Sequence, residues 1–136
     1  MKTPTIKHFR AGDRLYVRAQ QIWIVLISFV MSENRETNHP LTITYGDLAL
    51  KMGYEDKRAG HTLGRQLGIV GQFCVLNGLP ALNVVVVNQT TGMPGDEVVL
   101  RDGKEVRDEQ KAVMETNWFA LRVPTTGTFR QVWENS

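Results

Sequence analysis

A run of ten residues with a single polar interruption places the strongest constraint on how this chain folds. The run, IWIVLISFVM, covers residues 22–31 and is polar only at Ser28. A transmembrane helix needs about 20 apolar residues, so the run has about half the required length. It therefore predicts a helix buried in the core of a globular domain, and we expect no membrane partner.

The apolar run belongs to a longer helical pattern. Apolar residues recur at helical spacing from Leu15 to Val30, and Asp13 is a suitable N-cap before them. We expect this helix to reach about Glu33. A chain of 136 residues, 42% of them hydrophobic, is long enough to bury one core, so we predict a single domain over residues 1–136.

Shorter elements are predicted after the first helix. Residues 41–43 favour a short strand, and Thr44 with an acid three residues later resembles a capping box that opens a second helix ending at Gly53. Asp56 is a suitable cap for a third helical segment. That segment holds the glycines of residues 60–71. A second helical piece, or the rest of one long helix, is expected to continue to residues 77–78 and to stop at residues 79–80.

The hydrophobic pattern changes from helical to strand-like beyond Pro80. Residues 82–87, LNVVVV, give the strongest strand signal in the chain. Turn-forming residues 88–95 predict the tip of a β-hairpin, with the return strand near residues 97–101. An amphipathic helix is expected over residues 105–116, and four aromatic residues of the tail are expected to pack on the body: Trp118, Phe119, Phe129 and Trp133.

This order of elements predicts an α+β fold of winged-helix-like type. The core, over about residues 13–101, would consist of helix, short strand, helix, helix and β-hairpin. A C-terminal helix and tail would follow over residues 102–136. In winged-helix proteins the third helix commonly enters a DNA groove, so the order of elements favours a nucleic-acid-binding function.

Two segments resemble the DNA-binding part of the alkylguanine-DNA alkyltransferases and their alkyltransferase-like relatives. They are TYGDLA, residues 44–49, and KRAGHTLGRQLG, residues 57–68. The family combines a TYG segment with a helix of the type RAVGRAL. The resemblance implies that Tyr45 contacts a phosphate of the target DNA. The position of the family's arginine, which fills the gap left by a flipped base, falls here on His61.

The catalytic part of that resemblance is missing from the chain. The family's nucleophilic PCHR motif has no counterpart, because Phe73 precedes Cys74 and Val75 follows it. We interpret Cys74 as a small core residue. A single cysteine excludes an internal disulfide, and no signal-peptide pattern precedes the first helix, so we expect a cytoplasmic protein.

A second resemblance covers residues 77–97, NGLPALNVVVVNQTTGMPGDE, and residues 107–118, RDEQKAVMETNW. These segments are similar to a family of small bacterial and phage-borne proteins without an established activity. Asn117 stands where that family usually has an acid. The resemblance implies a second hypothesis, a phage- or defence-linked module that sequesters a nucleotide signal or binds a host protein.

The sequence contains no pattern typical of a catalytic, metal or cofactor site. The three histidines, His8, His39 and His61, have no ligand spacing, and no phosphate-binding loop follows a strand. We interpret the acidic residues near the predicted hairpin as a solvated surface: Asp96, Glu97, Asp102 and Glu105. A binding protein is therefore favoured over an enzyme, with no cofactor.

The stretch GHTLGRQLGIVG, residues 60–71, has glycines at positions 60, 64, 68 and 71. On one continuous helix they form a bare stripe between an apolar stripe and a cationic one. The bare stripe predicts close backbone packing within the protein or in a homo-oligomer. With Tyr45, the polar-cationic stripe supplies the candidate nucleic-acid or anion-binding residues: Tyr45, Arg58, His61, Arg65 and Gln72. The expected partner is double-stranded DNA or another phosphate-bearing ligand.

Charge is distributed unevenly along the chain. Residues 1–18 carry five basic side chains and one acidic one, although the net charge of the whole chain is only +2. A basic N-terminal segment adds non-specific attraction for an anionic partner.

Overall fold

The first helix, α1, spans Leu15–Val30 and is the central element of the core. The structure, a computed structural model, describes residues 3–32 and 40–136. Ile22 and Leu26 in the apolar run are completely buried, which confirms that the run forms a core helix. The N-cap is Arg14 rather than Asp13, whose carboxylate instead accepts a hydrogen bond from the Arg10 backbone at 2.7 Å. The expected end near Glu33 lies outside the described residues.

The remaining elements are short and mostly helical. In chain order they are β1 (Ile43–Thr44), α2 (Tyr45–Lys51), a first 3₁₀ helix (Lys57–Thr62), α3 (Gly64–Leu76), a second 3₁₀ helix (Leu82–Val85), β2 (Val86–Val87), α4 (Val106–Glu115), a third 3₁₀ helix (Trp118–Ala120) and α5 (Thr126–Glu134). The fold is thus α+β, mostly helical with one small sheet. Among the described helices, none is long and apolar enough to cross a membrane.

Local capping follows the sequence closely. The Thr44 hydroxyl accepts a hydrogen bond from the Asp47 backbone at 3.1 Å, which confirms the cap of α2. The Asp56 carboxylate accepts one from the Arg58 backbone at 2.8 Å and caps the first 3₁₀ helix. Gly53, with φ of +96°, lies in the left-handed region just after α2.

The third helical segment is not continuous. It breaks at Leu63, so that the first 3₁₀ helix and α3 are separate elements. Of the two expected arrangements, two helical pieces are confirmed and one long helix is wrong, so residues before Leu63 do not share a helical phase with those after it. A 3₁₀ helix has about 3.0 residues per turn against 3.6 for an α-helix, so the break changes which side chains share a face.

The predicted β-hairpin is also wrong. Strand β2 pairs in parallel with β1, with Ile43 opposite Val86 and Thr44 opposite Val87. Residues 97–101 form no strand, and residues 88–95 form a turn in which the Gly92 backbone donates to the Asn88 carbonyl at 2.8 Å. A wing formed by two antiparallel strands is therefore absent from the described part of the chain.

Hydrogen bonds to two helices explain why residues 82–85 are not a strand. Asn83 donates from its side-chain amide to the Leu67 carbonyl of α3 at 3.0 Å. Gln110 of α4 donates to the Val84 carbonyl at 3.0 Å. The segment is buried throughout and has helices as hydrogen-bonding neighbours rather than a second strand. Tertiary contacts therefore override the β-propensity of the valine run.

The C-terminal part completes the core. Helix α4 confirms the amphipathic helix predicted over residues 105–116, and its Glu109 carboxylate is fully buried and paired with Arg101 at 2.8 Å. Trp118 and Phe129 are completely buried and lie 5.7 and 6.2 Å from the Trp23 ring centroid, so half of the predicted aromatic packing is confirmed. Phe119 and Trp133 stay substantially exposed, contrary to expectation.

Candidate functional site

A groove of about 560 Å³ opens between the start of α2, the first 3₁₀ helix and the loop at residues 88–95. We call it the first groove. Three candidate residues line it, namely Tyr45, Arg58 and His61. Lys57 adds a second cationic side chain, and the polar side chains of residues 88–91 line the groove as well. Its volume lies within the range of about 300–1,000 Å³ that is usual for ligand pockets.

Close contact between two backbone segments shapes this groove. A Cβ atom on Gly60 would lie 2.6 Å from the carbonyl carbon of Tyr45, closer than real Cβ atoms come. A Cβ atom on Gly46 would lie 3.1 Å from that of Lys57. Glycine at both positions therefore lets the first 3₁₀ helix lie directly against the start of α2. This packing brings Arg58 and His61 to the same groove as Tyr45.

Tyr45 is held by hydrogen bonds within the protein. Its hydroxyl donates to the Glu97 carboxylate at 2.5 Å and accepts from the Gly95 backbone at 2.8 Å. Burial raises the pKa of Tyr45 above its ordinary value, and the hydrogen bond to Glu97 and the negative charge of that group raise it further. The hydroxyl therefore stays protonated and connects α2 to the turn that follows β2.

The cations of the first groove are exposed and weakly engaged. The Arg58 side chain is 87% exposed and pairs with Asp56 at 2.7 Å, a contact that lowers the pKa of Asp56 through hydrogen bonding. Lys57 pairs with Asp47 at 3.4 Å, also at the surface. Water screens exposed ion pairs of this kind, so they hold their partners weakly. An incoming anion can therefore compete for both cations.

Arg65 and Gln72 lie in a different groove. This second groove, of about 410 Å³, runs between α3 and α5, and Ile69, Val132 and Trp133 give it a largely apolar lining. The four residues predicted to form one polar-cationic stripe are thus divided between two grooves. The break at Leu63 explains the separation, because Arg58 and His61 precede it while the other two follow it.

The two grooves adjoin each other. Gly64 and Glu97 line both of them. A Cβ atom on Gly64 would meet nothing within 4 Å, so the space above this residue is open. Because Gly64 has no side chain, nothing at this position separates the two grooves.

Sequence reasoning missed two residues of these grooves. Glu97 was interpreted as part of a solvated surface, yet it is half-buried and bonded to Tyr45, 52 positions away in the chain. Trp133 was expected in the core but lines the second groove. No local pattern in the sequence predicts a contact over such a separation.

The remaining chemistry-bearing residues are structural or solvent-facing. Cys74 is buried in the core, as predicted, and burial raises the pKa of its thiol to about 12. The carboxylates of Asp96, Asp102 and Glu105 are exposed. Over residues 3–32 and 40–136 no group of three or more His, Cys, Asp or Glu residues is placed to hold a metal ion. His39 lies outside these ranges.

Comparison with known proteins gives no relative for this fold or this site. No family model matches the chain, and no curated protein or solved structure matches it either. The resemblances to the alkyltransferase DNA-binding segment and to the small bacterial and phage-borne family stay predictions.

Proposed function

We propose that the protein binds nucleic acid through the first groove and catalyses no reaction. The observation that carries this proposal is the grouping of Lys57, Arg58 and His61 with polar side chains in one open groove. Lysine, arginine and polar side chains supply most contacts to the phosphate backbone in protein–nucleic acid complexes. The exposed basic residues Lys7, Arg10 and Arg14 add long-range attraction for the same polyanion.

In this proposal α2, the first 3₁₀ helix and α3 act as the helical part of a winged-helix-like protein of alkyltransferase-like type. The loop at residues 88–95, rather than a β-hairpin, borders the bound strand. Double-stranded DNA is the first ligand to test, and another phosphate-bearing ligand would use the same cations. The single cysteine is buried and free, in keeping with a reducing compartment such as the cytoplasm.

A nucleotide is the second candidate ligand, and the volume of the first groove favours it. A groove of about 560 Å³ is large enough for a small ligand. A protein that sequesters a nucleotide signal, for example in phage defence, needs a phosphate site and no catalytic group. Lys57, Arg58 and His61 would then hold the phosphates of one small molecule.

Arg58→Ala combined with His61→Ala tests the proposed interface. We expect binding of a labelled duplex, measured by fluorescence anisotropy, to weaken about tenfold at low salt. The slope of log K against log salt should decrease by about 1, because one phosphate contact through Arg58 is lost. Arg122→Ala is the matched control, since this exposed arginine lines neither groove and should leave binding unchanged.

Two results would contradict nucleic-acid binding. One is the absence of measurable binding of either a duplex or a single strand at low salt. The other is a double variant that binds as tightly as the unaltered protein. Calorimetry with cyclic and linear nucleotides separates the second candidate: heat of binding for a nucleotide without binding of any oligonucleotide would favour sequestration.

A further inference from the structure

The second groove differs from the first in its chemistry. It is mainly apolar, with Ile69, Val132 and Trp133 in its lining, and Arg65 and Gln72 supply hydrogen-bond donors. Trp133 is 39% exposed, whereas the side chains of Trp23 and Trp118 are 1% and 0% exposed. Trp133 is therefore the only one of the three tryptophans with a ring available to a ligand.

The second groove adjoins the first groove. Gly64 and Glu97 line both grooves, and a Cβ atom on Gly64 would meet no atom beyond its own stretch of helix within 4 Å. A polymer whose charged backbone lies in the first groove can therefore place a neighbouring apolar group in the second. In a nucleic acid that group is a base.

We propose that the second groove holds an unpaired base of a single-stranded nucleic acid, stacked on Trp133, while the phosphates of that strand lie in the first groove. This proposal rests on the proposed function and specifies that the bound nucleic acid is single-stranded. A side chain within a groove reaches the face of a base only where the base is unpaired and unstacked. Arg65 and Gln72 then donate to the edge of the same base.

Intrinsic tryptophan fluorescence provides a direct measurement. Because the other two tryptophans are buried, quenching on addition of an oligonucleotide reports on Trp133. We expect a single-stranded thymidine oligonucleotide to quench the emission and to bind more tightly than a duplex of equal length. The same oligonucleotide with abasic sites should bind more weakly and quench less.

Three variants separate stacking from a structural role. Trp133→Ala should weaken binding of the single strand about 5- to 150-fold and leave duplex binding unchanged. Trp133→Phe should retain most of the affinity, because phenylalanine still stacks. Phe119→Ala is the matched control: this aromatic residue is 65% exposed, lines neither groove, and should have no effect.

The outcomes distinguish this inference from the function on which it rests. Equal binding of single strand and duplex, with no effect of Trp133→Ala, would overturn base stacking and leave phosphate binding intact. A Trp133→Ala variant that loses affinity for both ligands equally would also overturn it, since that result indicates a structural role. Failure of both ligands to bind at low salt would overturn the proposed function as well.

Discussion

Gly60 and Gly64 show how two glycines only four positions apart can have different roles. A side chain on Gly60 would collide with the backbone of Tyr45, whereas one on Gly64 would enter open space. Gly71 resembles Gly60, because its missing Cβ would overlap the side chain of Asn83. The sequence predicted close backbone packing along these glycines. The structure confirms it at Gly60, whereas Gly71 packs against a side chain.

Alanine substitution should separate these two roles. We expect Gly60→Ala to lower the free energy of unfolding by about 1–3 kcal/mol, because the new methyl group overpacks a backbone contact. Gly64→Ala should be neutral or stabilising by up to about 1 kcal/mol, since alanine favours a helix and meets no obstacle. Urea unfolding measures the free energy of unfolding of both variants. Equal stability of the two variants would show that the backbone contact at Gly60 has room for a methyl group.

At the scale of residues, the sequence could predict only those parts of the candidate site that depend on neighbouring positions in the chain. Three of the candidate residues, Tyr45, Arg58 and His61, line one groove. Arg65 and Gln72 do not, because the helix breaks at Leu63 and the assumed helical phase ends there. The contact between Tyr45 and Glu97 joins distant positions, so a single sequence holds no periodicity that could predict it.

At the scale of elements, two of the three predicted helix caps are confirmed, whereas the cap at Asp13 and the predicted strand pairing are wrong. Thr44 and Asp56 cap their helices through hydrogen bonds to residues two or three positions away, which a short sequence window contains. The partner of β2 is β1, and the two strands are separated in the chain by α2, the first 3₁₀ helix, α3 and the second 3₁₀ helix. Choosing that partner over a hairpin depends on how those helices pack, and no local propensity encodes it.

The connection between α2 and the turn after β2 gives a pH-dependent prediction. Burial and Glu97 raise the pKa of Tyr45 above its ordinary value near 10, so the folded state retains a proton that the unfolded state loses. This contribution to stability is fully present below about pH 10 and decreases as the pH rises beyond it. The difference in unfolding free energy between the protein and Tyr45→Phe should therefore be constant up to about pH 9 and shrink above pH 10.

Urea unfolding at several pH values measures this difference. Comparison with Tyr45→Phe removes the contributions of all other titrating groups, because both proteins carry them. A difference that stays constant to about pH 11 would contradict the assignment of a raised pKa to Tyr45.

At the scale of the whole molecule, the C-terminal helix is part of the core. Phe129 of α5 lies 5.5 Å from Phe73 of α3 and 6.2 Å from Trp23 of α1, measured between ring centroids. Trp118 contacts the same Trp23 ring from the third 3₁₀ helix. One aromatic cluster therefore joins helices from the beginning, middle and end of the chain. The sequence predicted packing of the tail but not which aromatics it would bury, because exposure depends on the orientation of α5.

Phe129→Ala tests how far the cluster stabilises the fold. Removing this fully buried ring should lower the free energy of unfolding by about 3–5 kcal/mol, from lost burial and the cavity left behind. Phe119→Ala, at an exposed position, should change it by less than about 0.5 kcal/mol. Denaturant unfolding followed by tryptophan emission measures both, and a similar loss in the two variants would refute a central role for the cluster.

The parallel pair β1–β2 has a consequence for the order of folding. Each strand has two residues, and residues 43 and 86 come together only after the intervening chain has closed a long loop. Because the pairing involves only two residues of each strand, its hydrogen bonds offset little of the entropy that is lost when this loop closes. The strand pair therefore cannot nucleate the fold. The pairing therefore depends on the helices packed around it and does not hold the fold together by itself.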